Sequence, residues 1–145
     1  MNDVYIPGID AGGLVTVAQG FAEVAGTWLE NLSGEFLAAG LPINSTSTAY
    51  ENSRVVKSGK TTLFGISGYN SKASGQFIHA YDASTVPSNG AVPVLIINVA
   101  ATTNFSVAYV LPGRFFARGC VLTNSSTGPT LTIGSADCWF DAQYI

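Results

Sequence analysis

The stretch Arg114 to Ile145, RFFARGCVLTNSSTGPTLTIGSADCWFDAQYI, decides the fold. Two apolar-rich runs flank a Ser/Thr/Gly/Pro loop. The second run sets Cys138, Phe140, Ala142 and Tyr144 against Asp137, Trp139, Asp141 and Gln143. That alternation is the period-two signature of a strand with one face buried. Loose chain ends rarely carry Trp and Phe, so this strand is expected to be tied into a sheet. Read together, the two runs predict a hairpin centred on Pro129, with the preceding chain packed against it.

Working back from that hairpin, strand signals recur at Arg54 to Lys57, Thr61 to Tyr69, Gln76 to Tyr81, Val92 to Val99, Phe105 to Val110 and Phe115 to Thr123, with a shorter one at Thr130 to Ile133. The breaks between them carry turn chemistry: Ser58-Gly59-Lys60, Asn70-Ser71-Lys72, Pro87-Ser88-Asn89-Gly90, Pro112-Gly113 and Gly128-Pro129. Short strands at this spacing predict two packed sheets, an all-β antiparallel sandwich of jelly-roll type over residues 53–145. Val94 to Val99, VLIINV, is continuously apolar and is expected to be a central strand covered on both sides. Phe77, His79 and Tyr81 share one face of their strand.

Upstream, Leu41 to Asn52 (LPINSTSTAYEN) has the composition of a linker, so residues 1–52 are read as an N-terminal arm and linker. Met1 to Gly13 has the look of an extended arm. Leu14 to Gly40 is contradictory. Phe21, Val24, Trp28, Leu29, Leu32, Phe36 and Leu37 include helical spacings, but Gly20, Gly26, Gly34 and Gly40 each cost about 1 kcal/mol inside a helix. The arm is therefore extended or partly helical, with short strands as the rival.

Charged residues make up 10% of the chain, against the roughly 25% usual for soluble domains. A surface so poor in charge suits a protein that hides part of itself in an assembly. The charge is also divided. Met1 to Ser53 holds 6 acids and no Lys or Arg, while Arg54 to Ile145 holds 6 basic residues and 3 acids, giving −6 and +3 from a net charge of −3. Such a split suggests two parts with different jobs. Six basic residues scattered singly form no stripe for nucleic acid. No run approaches the ~18 apolar residues of a membrane span, and the acidic start of MNDVYIPG is unlike a secretion signal.

Little in the chain reads as catalytic or cofactor-binding. His79 is the single histidine, so any metal cluster or His-dependent triad must use it, and no GxSxG elbow accompanies it. It reads as a structural histidine beside Phe77 and Tyr81. One His and two cysteines 18 residues apart lack the paired spacing of zinc sites. Asp137 and Asp141 would stand about 13 Å apart along a regular strand, beyond the roughly 5 to 9.5 Å that glycoside hydrolysis requires. Gly59-Lys60-Thr61 lacks the upstream glycine of a phosphate loop and reads as a turn. A hairpin centred on Pro129 would set Cys120 opposite Cys138, close enough for a disulfide, if a bulge at Gly119 turned Cys120 inward. Two buried free thiols are the alternative, favoured in a protein that is not exported. Trp139, outward by alternation with Asp141 and Gln143, marks a surface for contact between protomers. Tyr5 and Trp28 are the corresponding contact aromatics of the arm.

The phrases SRVVKSG, LFGISGYNSKASGQFIHAYDA, VPSNGAVPVLIINVAATTNFSV and, above all, NSSTGPTLTIGSADCWFDAQY resemble a β-domain of tailed-bacteriophage structural proteins, in particular the small capsid decoration or cement proteins. The likeness runs from Ser53 onward. It implies a trimer on the outer capsid surface of the virion, assembled in the host bacterial cytoplasm and bridging major capsid proteins, with no cofactor and no catalytic role. The rival is a tail or head fibre adhesin that binds host glycan through exposed aromatics such as Tyr69 and Trp139.

Overall fold

A strand that is apolar on both faces needs cover on both sides, whereas one that alternates needs it on one, and the two halves of Arg114 to Ile145 differ in this respect. The computed structural model describes residues 41–145 and resolves them into nine strands: β1 (Ile43–Thr46), β2 (Ser53–Lys57), β3 (Thr61–Asn70), β4 (Gln76–Asp82), β5 (Leu95–Val99), β6 (Thr103–Ala108), β7 (Arg114–Phe116), β8 (Cys120–Ser125) and β9 (Cys138–Tyr144). One sheet, A, has the order β1-β9-β3-β6, with β7 also pairing β3. The other, B, has the order β2-β8-β4-β5. All pairings are antiparallel.

This order is one long antiparallel ribbon rolled on itself. The pairs β1·β9, β2·β8, β3·β6 and β4·β5 are its rungs, and the β4–β5 connection is its tip. Two seams, β3·β9 and β4·β8, close the roll. That is the jelly-roll topology, and it confirms the expected sandwich.

Between the sheets lies a core of Leu63, Ile66, Ile78, Ala80, Phe105, Phe116, Cys120, Leu122, Cys138, Phe140 and Ala142. Phe105 and Phe140 meet edge to face, with ring centroids 6.3 Å apart, a favourable aromatic geometry. Gly68 lies across from both, paired with Phe105 on β6 and Phe140 on β9. A Cβ there would collide with the Phe105 ring and the Trp139 carbonyl. Asn70, fully buried at the end of β3, donates to the carbonyls of Ser74 (3.0 Å) and Ala100 (2.9 Å) and accepts from the Lys72 N–H, tying two turns to the sheet.

Several expectations need correction. The runs of Arg114 to Ile145 do not form a hairpin: β8 lies in sheet B and β9 in sheet A. Every residue of β8 is buried, so it takes an interior position with cover on both faces, whereas alternating β9 needs only the core on one side. Phe115 to Thr123 is two strands, because the chain changes sheets between β7 and β8. Gly119 makes that passage at φ +142°, and a Cβ on it would fall 2.6 Å from the carbonyls of both Ala83 and Lys57. Val94 to Val99 is no central strand. It holds the outer edge of sheet B, where Leu95, Ile97 and Val99 turn toward the core and Ile96 remains 45% exposed. Leu41 to Asn52 contributes β1, whose Ile43 to Thr46 pair with Tyr144 to Asp141, so sheet A takes in part of the stretch read as a linker. Its Ser/Thr-rich composition hid a β-branched edge strand. Thr130 to Ile133 makes only an isolated bridge, Ile133 to Ser125. The readings of Met1 to Gly40 lie outside the described residues.

Replacing Gly68 by Ala is expected to lower stability by roughly 3 kcal/mol through overpacking. Gly59→Ala, with open space around its Cβ, should stay within about 0.5 kcal/mol of the parent. Urea unfolding of both variants measures the contrast.

Candidate functional site

Alternation along β9 sends Trp139, Asp141 and Gln143 to the outer face of sheet A while Cys138, Phe140 and Ala142 enter the core. The neighbouring strands supply their partners. Asp141 stands across from Thr46 and Ser67, Gln143 across from Asn44 and Gly65, and Trp139 across from Tyr69. On the far side of β3, Ser67 pairs with Ser106 and Tyr69 with Asn104. The result is a neutral, hydroxyl- and amide-rich surface with one carboxylate. Asp141 accepts from Asn44 Nδ2 at 3.2 Å and from the Thr46 hydroxyl, so its charge is fixed in place by β1.

Two shallow depressions mark this face. One, of about 250 Å³, is lined by Gly65, Ser67, Ser106, Asp141 and Gln143, among others. The second, of about 210 Å³, is formed by Trp139 and the Ser47–Tyr50 turn, with the Tyr50 ring half exposed beside it. The turn is held by Ser47, whose hydroxyl accepts from the Phe140 N–H (2.8 Å) and donates to Glu51. Glu51 also carries an ion pair with Arg54 at 2.9 Å. Trp139, Asp141 and Gln143 thus share one surface, as alternation predicts, while Tyr5 and Trp28 lie outside the described residues. Tyr50 and Asn44 were missed because the linker composition of Leu41 to Asn52 concealed β1 and the turn after it, whereas Ser67 lies on β3, a strand that was read without singling out its outward serine. The alternation of Ile43 and Ser45 with Asn44 and Thr46 was the available signal.

The outer face of sheet B is different. Its strands present Phe77, His79, Tyr81 and Val121, and the Ser126–Gly134 segment folds over them, burying Leu131 against Tyr81 and Val121. Gly128 fits there because a Cβ would press on the Phe77 ring at 3.1 Å. His79 is fully buried under this cover, its Nδ1 2.9 Å from the Tyr81 hydroxyl, while Nε2 and the Thr123 hydroxyl opposite find no hydrogen-bond partner among the described residues. Burial lowers the His79 pKa from its ordinary value, and the backbone at Gly128 works against that shift without completing a hydrogen bond. Asp82 faces elsewhere, accepting the Arg118 N–H at 2.7 Å, which draws its pKa down. Among the described residues no three His, Cys, Asp or Glu side chains gather as a metal site would require.

Cys120 and Cys138 are free and buried, the arrangement favoured from the sequence over a disulfide. The two strands that carry them lie in opposite sheets, with Cys120 across from Asp82 and Lys57, and Cys138 across from Asn70. Cys120 does face the core. Phe116 rather than Phe115 is the inward residue of β7, and the register shift lies in β2 between Val55 and Lys57 instead of at Gly119. Burial, reinforced by the Asp82 charge, pushes the Cys120 thiol up to about 12. Burial likewise raises Cys138, whose sulfur accepts from Asn124 Nδ2 at 3.4 Å.

The chain matches no protein-family model, no curated protein and no solved structure.

Both thiols should resist a disulfide-exchange reagent in the folded protein and react once it is unfolded in guanidinium, with a melting temperature insensitive to reductant. The unfolded chain protonates His79 near 6.5 while the folded protein does not, so the stability it contributes is full above pH 6.5 and is lost as pH falls through the depressed folded value. The urea midpoint should therefore drop between pH 7 and pH 5.5, and His79→Gln should flatten that slope.

Proposed function

We propose that this protein is a virion structural protein that decorates the outer surface of a tailed-phage capsid, associating as a trimer and bridging neighbouring major capsid proteins. The observation that carries this reading is the apolar edge of the sandwich. Strands β5 and β6 end their two sheets on the same side, opposite β1 and β2. On or beside that edge Val92 is 73% exposed, Val110 89%, Leu111 65% and Phe115 62%, and Ile96 on β5 is also open. The Arg114 guanidinium donates to the Val94 carbonyl at 2.6 Å, which joins the two sheets along this edge. Exposed apolar side chains so concentrated mark a protein contact surface, and an edge strand offers free backbone groups to a neighbouring copy.

Composition and the resemblance of Ser53 onward to decoration proteins support the same reading. Residues 1–40 carry 5 acids and no basic residue, a suitable complement to a basic surface on the capsid subunit. A partner that binds only the assembled shell stabilises it by about 2.7 kcal/mol per site at a hundredfold excess over Kd. Repeated around the shell, that effect resists internal pressure.

Light scattering coupled to gel filtration should give a trimer mass, and Ile96→Asp with Val110→Asp should reduce it to the monomer. The full chain should co-sediment with capsids. Deletion of residues 1–40 should abolish that binding while leaving the far-UV β signal intact, and unchanged binding would remove the arm from the mechanism.

A further inference from the structure

The outer face of sheet A carries chemistry that capsid bridging does not use, and we infer that it is a binding site for neutral oligosaccharides, running from Trp139 and Tyr50 at one end to Gln143 at the other. The two outer faces of the sandwich are treated differently. Sheet B buries His79, Tyr81 and Val121 of its outer face beneath the Ser126–Gly134 segment, whereas sheet A leaves open two depressions.

Sugars present two kinds of surface, axial C–H faces and rings of hydroxyls. Recognition of them calls for exposed aromatic planes beside fixed hydrogen-bonding groups. Here a half-buried Trp139 and polar Asp141 and Gln143 follow one another along one strand, with the half-exposed Tyr50 beside Trp139. Trp139 lines one depression with Tyr50, and Tyr69 is its cross-strand neighbour. Asp141 lies two residues further along the same face and Gln143 two beyond it, about 13 Å from Trp139 by strand rise. That length accommodates more than one sugar ring.

The charge pattern defines the ligand class. Asp141 is acceptor-only and is held by Asn44 and Thr46, so its remaining lone pairs can receive hydroxyl donors at no further ordering cost. No Lys or Arg lies among the residues lining either depression. A carboxylated or sulfated sugar would meet repulsion there without a counter-charge, so sialylated and sulfated glycans are disfavoured.

This inference stands apart from capsid decoration, because it rests on a different face from the apolar edge and neither requires the other. The test uses the full chain on a glycan array that presents neutral hexose and N-acetylhexosamine oligosaccharides beside sialylated counterparts, with the strongest neutral ligand then titrated in solution. Saturable binding to neutral members is expected, with a change in Trp139 fluorescence in a Trp28→Phe background. Affinity should fall at least tenfold in Trp139→Ala and severalfold in the exposed-site variants Gln143→Ala and Tyr50→Ala. Those two variants should melt like the parent, so loss of binding in them cannot be ascribed to misfolding. Absence of binding to any neutral member, preference for sialylated glycans, or affinity unchanged in Gln143→Ala and Tyr50→Ala would each overturn the proposal.

Discussion

The ladder between β3 and β9 is the constraint on which the rest of the sandwich depends. Leu63 to Asn70 pair with Tyr144 to Cys138, joining the third described strand to the last. Without that seam and its counterpart β4·β8, the ribbon has rungs but nothing to roll it, and the inward faces of Leu63, Ile66, Phe140 and Leu122 have no opposing sheet. Because both seams join residues far apart in sequence, little of the core can form before loops are closed. The fold belongs with the slow, high-contact-order class. The same seam sets the close approach at Gly68, where the ladder runs too near the Phe105 ring for any side chain.

The seams also determine which surfaces are available. Closing sheet B through β8 brings Phe77, Tyr81 and Val121 onto an outward face that is too apolar to leave in water. The crossover from β8 to β9 resolves this by lying over them, with Leu131 as its anchor. Sheet A needs no such cover, since Ser67, Asn104, Ser106, Asp141 and Gln143 surround Trp139 and Tyr69 on its outward face. A single connection therefore accounts for both the buried His79 and the bare polar face on the opposite side.

Much of this was legible in the sequence, and the losses have physical causes. Alternation identified β3 and β9 almost to the residue, because each has one face in the core and one out, and β4 was bounded as closely although both its faces are covered. It placed Trp139, Asp141 and Gln143 on a common surface correctly. Apolar content misled for Val94 to Val99, since Val94 and Ile96 face out from an edge strand and no period distinguishes an apolar residue kept for contact from one kept for the core. Sheet membership was invisible: Cys120 and Cys138 look symmetrical about Pro129, but a connection long enough to make a loose hairpin is also long enough to cross the roughly 10 Å between sheets. The strand β1 was hidden by Ser and Thr, residues that suit an exposed edge as well as a linker.

The Ala83–Val94 tip of the roll and the Ser126–Asp137 crossover are the longest connections among the described residues, and they are fastened to each other. Gly90 donates to the Leu131 carbonyl at 2.8 Å, the Leu131 N–H returns a bond to Ala91 at 2.9 Å, and Asn89 Oδ1 accepts from the Ile133 N–H at 2.9 Å. Long loops are ordinarily where a protease enters, because the backbone there is free to adopt the extended form that an active site grips. Here each loop's backbone is already engaged by the other, and Leu131 is buried beneath them. Cleavage thus requires two loops to open together, so the places where a sandwich of this size is weakest against digestion have become a mutual guard.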